Sequence, residues 1–208
     1  MPNWCYTDIT IYHNDEEKLK AFFDKIEEWR KKPFKENDFD KYSMGWLGNI
    51  VGNSGIAEWK KDGEREDFVP AIDCRGSIQT LMLDNRRILI TTETAWGPML
   101  KMWQKVCDKY LPDAEIIFTA EESGCEIYVT NDPDMIGMYY IDIFEPPEGF
   151  EDEESVYECD ANEVIEFLQR VLKTEETDFD KLIKMSESIE EPWFSIHEWK
   201  KSDISQCL

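Results

Sequence analysis

Histidine is nearly absent from this chain: 208 residues contain two, His13 and His197. The six cysteines (Cys5, Cys74, Cys107, Cys125, Cys159 and Cys207) are scattered, no two closer than 18 positions. That spacing excludes the CxxC pairs of zinc and redox sites. A metal centre would have to draw carboxylates from remote segments, so no cofactor is expected. Apolar runs fall far short of the ~20 residues a membrane-spanning helix needs. Residues 1–8 carry neither a basic region nor an apolar run, so no signal peptide is expected. A cytoplasmic protein with reduced thiols follows as the expectation. Cys5 and Cys107 sit in apolar patterns and read as small buried hydrophobes.

The usual catalytic motifs are missing too. There is no GxSxG nucleophile elbow, and the stretch Gly48-Asn49-Ile50-Val51-Gly52-Asn53-Ser54-Gly55 lacks both the Lys-Ser/Thr ending of a P-loop and GxGxxG spacing. It reads as a flexible loop. The sequence leaves a Ser-His or Cys-His dyad open, since folding alone brings such partners together. Carboxylates are too many for any pair to stand out. Asn131-Asp132-Pro133-Asp134 and Glu151–Glu154 carry calcium-type oxygens, but neither matches an EF-hand loop, and both read as solvated loops.

Basic residues are scarce in one half only. Residues 1–110 hold 19 acidic and 17 basic side chains, net −2, and residues 111–208 hold 27 and 6, net −21. The whole chain carries −23, which opposes direct binding to nucleic acid or an anionic membrane. Solubility needs a net charge of only about 2–8 in magnitude. The excess costs stability by self-repulsion, so it points to a use. Apolar residues make up 41% of the chain, with 8 Trp, 11 Phe and 8 Tyr, enough for a sizeable core.

Residues 4–12 alternate, with Cys5, Thr7, Ile9 and Ile11 on one face and Trp4, Tyr6, Asp8, Thr10 and Tyr12 on the other. Asn14, as N-cap, opens a helix with the stripe Leu19, Phe22, Phe23, Ile26 and Trp29, ended by Pro33. Residues 31–76 read as an irregular insertion. A hairpin over 77–94 turns at Asp84-Asn85-Arg86. Pro98 starts a second helix, with Met99, Met102, Trp103, Val106 and Tyr110 as its stripe and Trp103 in the core. Strands follow near 114–119, 125–130 and 138–144. Asp160 with Glu163 caps a helix, and Asp178 precedes another. The plan is α+β: a ferredoxin-like βαββαβ antiparallel sheet in residues 1–150, with the insertion at 31–76. A C-terminal acidic strand/helix extension follows, its segment 151–208 helical and packed on that domain.

Met1-Pro2-Asn3-Trp4-Cys5 leading into an amphipathic strand resembles the opening of the YubB-type ferredoxin-like family of phages and conjugative plasmids. A second block resembles it too: a strand ending in Thr94, Trp96-Gly97-Pro98, a helix with an internal Trp, Tyr110-Leu111-Pro112-Asp113, and Glu121-Glu122-Ser123-Gly124-Cys125. The resemblance covers residues 1–30 and 88–145. It implies a ferredoxin-like fold and a mobile-element origin, brings no catalytic residues, and leaves residues 31–87 and the acidic tail unmatched.

Two functions compete. The first is a non-enzymatic accessory protein that binds a host protein with a basic surface. A nuclease of a defence system is the sharper form, with carboxylates imitating the phosphates of nucleic acid. The contacts would be Glu145, Glu148, Glu151, Asp152, Glu153, Glu154, Glu158 and Asp160. The second is a small-ligand-binding or enzymatic domain using the open sheet face. The aromatic face of the first strand also suggests a base-stacking platform, but no Lys/Arg stripe accompanies it.

Overall fold

A computed structural model describes residues 3–34, 45–57, 59–61 and 68–205, with 59–61 and 68–70 by their backbone. These residues form an α+β structure with five helices and two compact units. The first unit is Met1–Asn131 with Ser202–Leu208, and the second is Asp132–Lys201. The boundary thus falls at 132, whereas the sequence places it at 151, and the chain returns to the first unit at 202.

In the first unit, strand β1 (Trp4–Tyr12) buries Cys5, Thr7, Ile9 and Ile11 and exposes Trp4, Tyr6, Asp8 and Tyr12, as its alternation requires. Helix α1 (Glu16–Lys31) buries Leu19, Phe22, Ile26 and Trp29. Its N-cap is Asp15, not Asn14. The Asp15 carboxylate accepts the N–H groups of Glu17 and Lys18 at 3.1 Å each, while His13 Nδ1 accepts the Asp15 N–H at 3.0 Å. Those backbone donors hold the Asp15 carboxyl below its usual range.

The glycine-rich stretch is a helix, α2 (Leu47–Ser54), rather than a flexible loop. Its glycines serve close packing. A Cβ at Gly52 would stand 2.1 Å from Phe34 Cγ, and one at Gly48 would stand 2.3 Å from the Trp46 ring. Gly55 closes the helix in the left-handed region at φ 61°. The other predicted insertion pieces at 35–44, 58 and 62–67 lie outside the described residues. Two short strands, β2 (Trp59–Lys61) and β3 (Phe68–Pro70), pair antiparallel.

The hairpin is β4 (Gly76–Asp84) and β5 (Arg87–Ala95), turning through Asn85 at φ 50°. Helix α3 (Leu100–Tyr110) begins two residues beyond Pro98. The Thr94 hydroxyl donates to the Gly97 carbonyl at 2.7 Å, and Met99 at φ 50° stands as N-cap, so Pro98 lies ahead of the helix. Strands β6 (Glu115–Glu122) and β7 (Ile127–Thr130) follow, joined by a single 3-10 turn at Ser123–Cys125.

Among the described residues the first unit's sheet runs in the order β7-β6-β1-β5-β4. It is larger than a four-stranded plan. β1 pairs antiparallel with both β5 and β6. One face packs on the helices in a core that includes Ile9, Phe22, Ile50, Ile90, Val106, Phe118 and the fully buried Trp103. Cys5, Cys74 and Cys107 are buried, and burial pushes their thiols up to about 11, about 12 and about 12.

The second unit is not a helical appendage but an α+β body with its own core. Strands β8 (Tyr139–Ile143), β9 (Val156–Cys159) and β10 (Phe194–Glu198) lie in the order β10-β8-β9. Helix α4 (Ala161–Leu172) and helix α5 (Phe179–Ser186) pack with the sheet around Ile141, Val164, Phe167, Leu168, Leu182, Trp193 and Phe194. Strands β9 and β10 were hidden in the sequence because neither alternates, β9 burying only Cys159 and β10 only Phe194, and β11 (Lys200–Lys201) spans two residues.

Candidate functional site

The expected acidic contacts fall in the second unit, which carries 21 acidic and 6 basic residues, net −15 over Asp132–Lys201. The first unit carries −8 over its 138 residues. The excess negative charge is therefore concentrated in the smaller body.

Most of the predicted contacts lie in the connection from β8 to β9, residues 144–155. It is folded on itself and held at three places. The Ser155 hydroxyl accepts the Ile143 N–H at 2.8 Å, closing its base. Phe150 packs on Trp193 with ring centroids 5.1 Å apart. Arg170 on α4 grips Glu153 with two hydrogen bonds, Nε at 3.0 Å and Nη2 at 2.9 Å. Two backbone bonds, Phe150 N–H to the Pro147 carbonyl and Glu153 N–H to the Phe150 carbonyl, shape the turns between. Charge on such a support keeps its pattern, which an unstructured acidic tail does not.

The eight predicted residues separate by role. Glu153 is committed to Arg170. Asp160 caps α4, accepting from Asn162 and Glu163 at 2.7 and 3.0 Å, while Glu163 reaches back to the Asp160 N–H at 2.8 Å. Glu151 accepts the Gly149 N–H at 2.9 Å, and the backbone N–H groups of Glu151 and Gly149 hold its carboxyl below the usual range. Glu145, Glu148, Asp152, Glu154 and Glu158 are exposed. The structure thus brings Glu145 to Glu154 together on one connection and leaves Glu158 on the edge strand β9. Exposed Glu166, Glu175, Asp180, Glu187, Glu190 and Glu191 extend the negative surface. In the sequence they stand singly or in pairs, without a run of four acids like Glu151–Glu154 to mark them.

Asp132, the calcium-type candidate, turns its carboxylate to the Asp134 N–H at 3.0 Å. Among the described residues no group of three or more His, Cys, Asp or Glu is placed to hold a metal ion. No helix among them is long and apolar enough to cross a membrane.

The dyad left open by the sequence takes a specific form. Ser195 Oγ and His197 Nε2 meet at 2.7 Å on one face of β10. Asp142 stands opposite Ser195 in the sheet, but its Oδ1 accepts from Tyr140 at 3.0 Å and Ser155 at 3.3 Å. Tyr140 stacks on Tyr157 at 4.4 Å and lies 6.3 Å from the His197 ring. Burial pushes the Tyr140 phenol far above its usual range. His13 serves the turn before α1.

The segments behind the family resemblance converge at one end of the first unit's sheet. The Trp96 N–H donates to the Asn3 carbonyl at 2.9 Å. Asn3 Nδ2 lies 3.9 Å from Cys125 Sγ, and a Cβ at Gly124 would stand 2.2 Å from that same Nδ2. Glu122 accepts the Gly124 N–H at 2.9 Å. Comparison of the chain with protein-family models, curated proteins and solved structures gives no match.

Proposed function

We propose that this protein acts by binding: its acidic second unit docks on the basic surface of a host protein, and the partner class is an enzyme that handles nucleic acid. The observation that carries the reading is the β8–β9 connection, where Glu145, Glu148, Asp152 and Glu154 are exposed on a segment fixed by Ser155, Phe150 and Glu153. Carboxylates held in a set pattern steer a cationic partner and pair with its Arg and Lys side chains. In a groove built for phosphates they would take the place of nucleic acid, which makes inhibition of a defence nuclease the consequence.

The same reading places the first unit with the ferredoxin-like YubB-type proteins of phages and conjugative plasmids. Its support is the strand order β6-β1-β5-β4, all antiparallel. There β1 and β4 lie on either side of β5, and β5 and β6 on either side of β1, which is compatible with a split βαβ plan carrying α2, β2 and β3 as an insertion between α1 and β4. Strand β7 extends it. Further support is the meeting of Asn3, Trp96, Gly124 and Cys125.

A pull-down from bacterial lysate tests the reading, with wild type and the variant Glu145→Lys/Glu148→Lys/Asp152→Lys/Glu154→Lys run at low and high salt. A nucleic-acid enzyme retained by wild type at low salt, and lost both at high salt and by the variant, supports it. Equal retention by the two proteins contradicts it. The Ser195–His197 contact favours a second reading, an enzyme whose serine gives its proton to histidine. Labelling of Ser195 by an organophosphonate, abolished by His197→Gln, would establish that one instead.

A further inference from the structure

We propose that the sheet face of the first unit turned away from the helices is a separate interaction surface, and that its occupant is an arginine-bearing segment of a partner protein. This surface lies outside the acidic second unit and does not depend on the role given to that unit.

Register defines the face. Each odd position of β1 from Cys5 to Ile11 is buried under the helices, so the even positions lie on the other side. Tyr6 is flanked by Glu93 on β5 and Glu121 on β6. Asp8 is flanked by Thr91 and Thr119, and Tyr12 by Arg87 and Glu115. The face therefore sets aromatic rings among carboxylates. Trp4 is 44% exposed and Tyr6 49%. Trp96, in the residue after β5, is 49% exposed.

These features favour a cation, and a planar one. Indole and phenol faces attract cations through their quadrupoles, and carboxylates beside them add charge. Glu93 already takes the Tyr6 hydroxyl at 3.4 Å and Gln79 Nε2 at 2.9 Å, and Asp8 takes the Thr91 hydroxyl at 2.8 Å, so both carboxylates are oriented. The protein shows the pairing in itself: the Arg75 guanidinium stands 4.7 Å over the Trp96 ring while forking onto Asp73 at 2.8 and 2.5 Å. Arg87, on the same face, is tied to Asp84 at 2.9 Å. Guanidinium rather than ammonium is selected because it is flat, forks onto carboxylates and stacks on rings. Trp96 also holds a left-handed backbone at φ 64°. Such a conformation in a bulky residue persists only where the surroundings impose it, and it concentrates at sites of function. A nucleic acid would bring phosphates onto Asp8, Glu93 and Glu121, which repel them.

The test uses fluorescence anisotropy of the full chain with three labelled probes at roughly 0.3 M salt, where screening weakens long-range attraction to the second unit. The probes are a nona-arginine peptide, a nona-lysine peptide and a single-stranded oligothymidine. The variants are Trp4→Ala/Tyr6→Ser, the near-isosteric Asp8→Asn/Glu93→Gln, and the four-lysine reversal of the β8–β9 connection. The proposal expects nona-arginine to bind about tenfold tighter than nona-lysine, and about tenfold weaker to either sheet-face variant. The four-lysine variant should retain wild-type affinity for nona-arginine. Equal binding of the two peptides, unchanged affinity in the Asp8→Asn/Glu93→Gln protein, loss in the four-lysine variant alone, or preferential binding of the oligonucleotide each overturns it.

Discussion

Arg170 on α4 holds both carboxylate oxygens of Glu153, 17 residues earlier in the chain, through Nε at 3.0 Å and Nη2 at 2.9 Å. This fork fixes the far end of the acidic connection to a helix that is itself anchored in the core by Val164, Phe167 and Leu168. One of the 6 basic residues among Asp132–Lys201 is thus spent on presenting the acids around it.

Replacing Arg170 by Ala should lower stability by only about 0.5–1 kcal/mol, since the pair is partly exposed. Its larger effect is expected on the connection. Amide hydrogen exchange at residues 149–154 should speed up, while exchange in the core strands β1 and β5 stays unchanged. Protection as in wild type across 149–154 would remove Arg170 from the role assigned to it.

Asp160 offers a separation of charge from structure. Asp160→Ala removes the capping box and should cost about 1 kcal/mol in urea denaturation. Asp160→Asn keeps an acceptor for the Asn162 and Glu163 N–H groups and should cost far less. If Asp160→Asn is as destabilising as Asp160→Ala, its charge at the helix N-terminus matters more than the hydrogen bonds.

Gly52→Ala places a methyl group into Phe34, and should destabilise the first unit by about 1–3 kcal/mol through overpacking. The loss should shrink in the double variant Gly52→Ala/Phe34→Ala, measured as a thermodynamic cycle. Additivity would mean that Phe34 is not what the glycine accommodates. Trp103→Ala removes a fully buried indole and should cost about 3–5 kcal/mol. Trp103→Phe should cost less, because the indole N–H is buried without a hydrogen-bond partner among the described residues.

Alkaline pH should weaken the fold through its thiols. The folded-state values of Cys74 and Cys107 are raised to about 12 from a reference of 9.0. Between those values the unfolded chain has released protons that the folded chain retains. Stability is therefore full below about pH 9 and falls toward pH 12, by about 1.4 kcal/mol per pH unit for each thiol within that window. Urea midpoints from pH 8 to pH 10.5 should fall less steeply for Cys107→Ala than for wild type. Identical slopes would place the alkaline sensitivity elsewhere. At neutral pH, the exposed Cys125 should be the first of Cys5, Cys74, Cys107, Cys125 and Cys159 to react with a thiol reagent.

The sequence displayed some of this architecture openly. The alternation of residues 4–12 and the turn at Asn85 gave β1 and the hairpin because each signal is local. Asp160 and Glu163 announced a capping box for the same reason. Helix α2 was hidden because its glycines look like breaks until Trp46 and Phe34 are seen packed against them. The acidic run was visible as composition, yet the commitment of Glu153 depends on Arg170 and that of Asp160 on a helix end, so their exposed neighbours could not be told from them. The Ser195–His197 contact is two residues apart in sequence, but its meaning rests on Asp142 and Tyr140 from another strand. The aromatic–carboxylate face likewise needed the register that sets Glu93 and Glu121 on either side of Tyr6.

The most direct test of the acidic unit's role is the salt dependence of its affinity for the purified partner, measured by titration calorimetry for wild type and the four-lysine variant. The account predicts a Kd that weakens steeply between low and physiological salt for wild type, and no measurable association for the variant despite an unchanged melting temperature. A variant that binds with wild-type affinity and the same salt slope would contradict it.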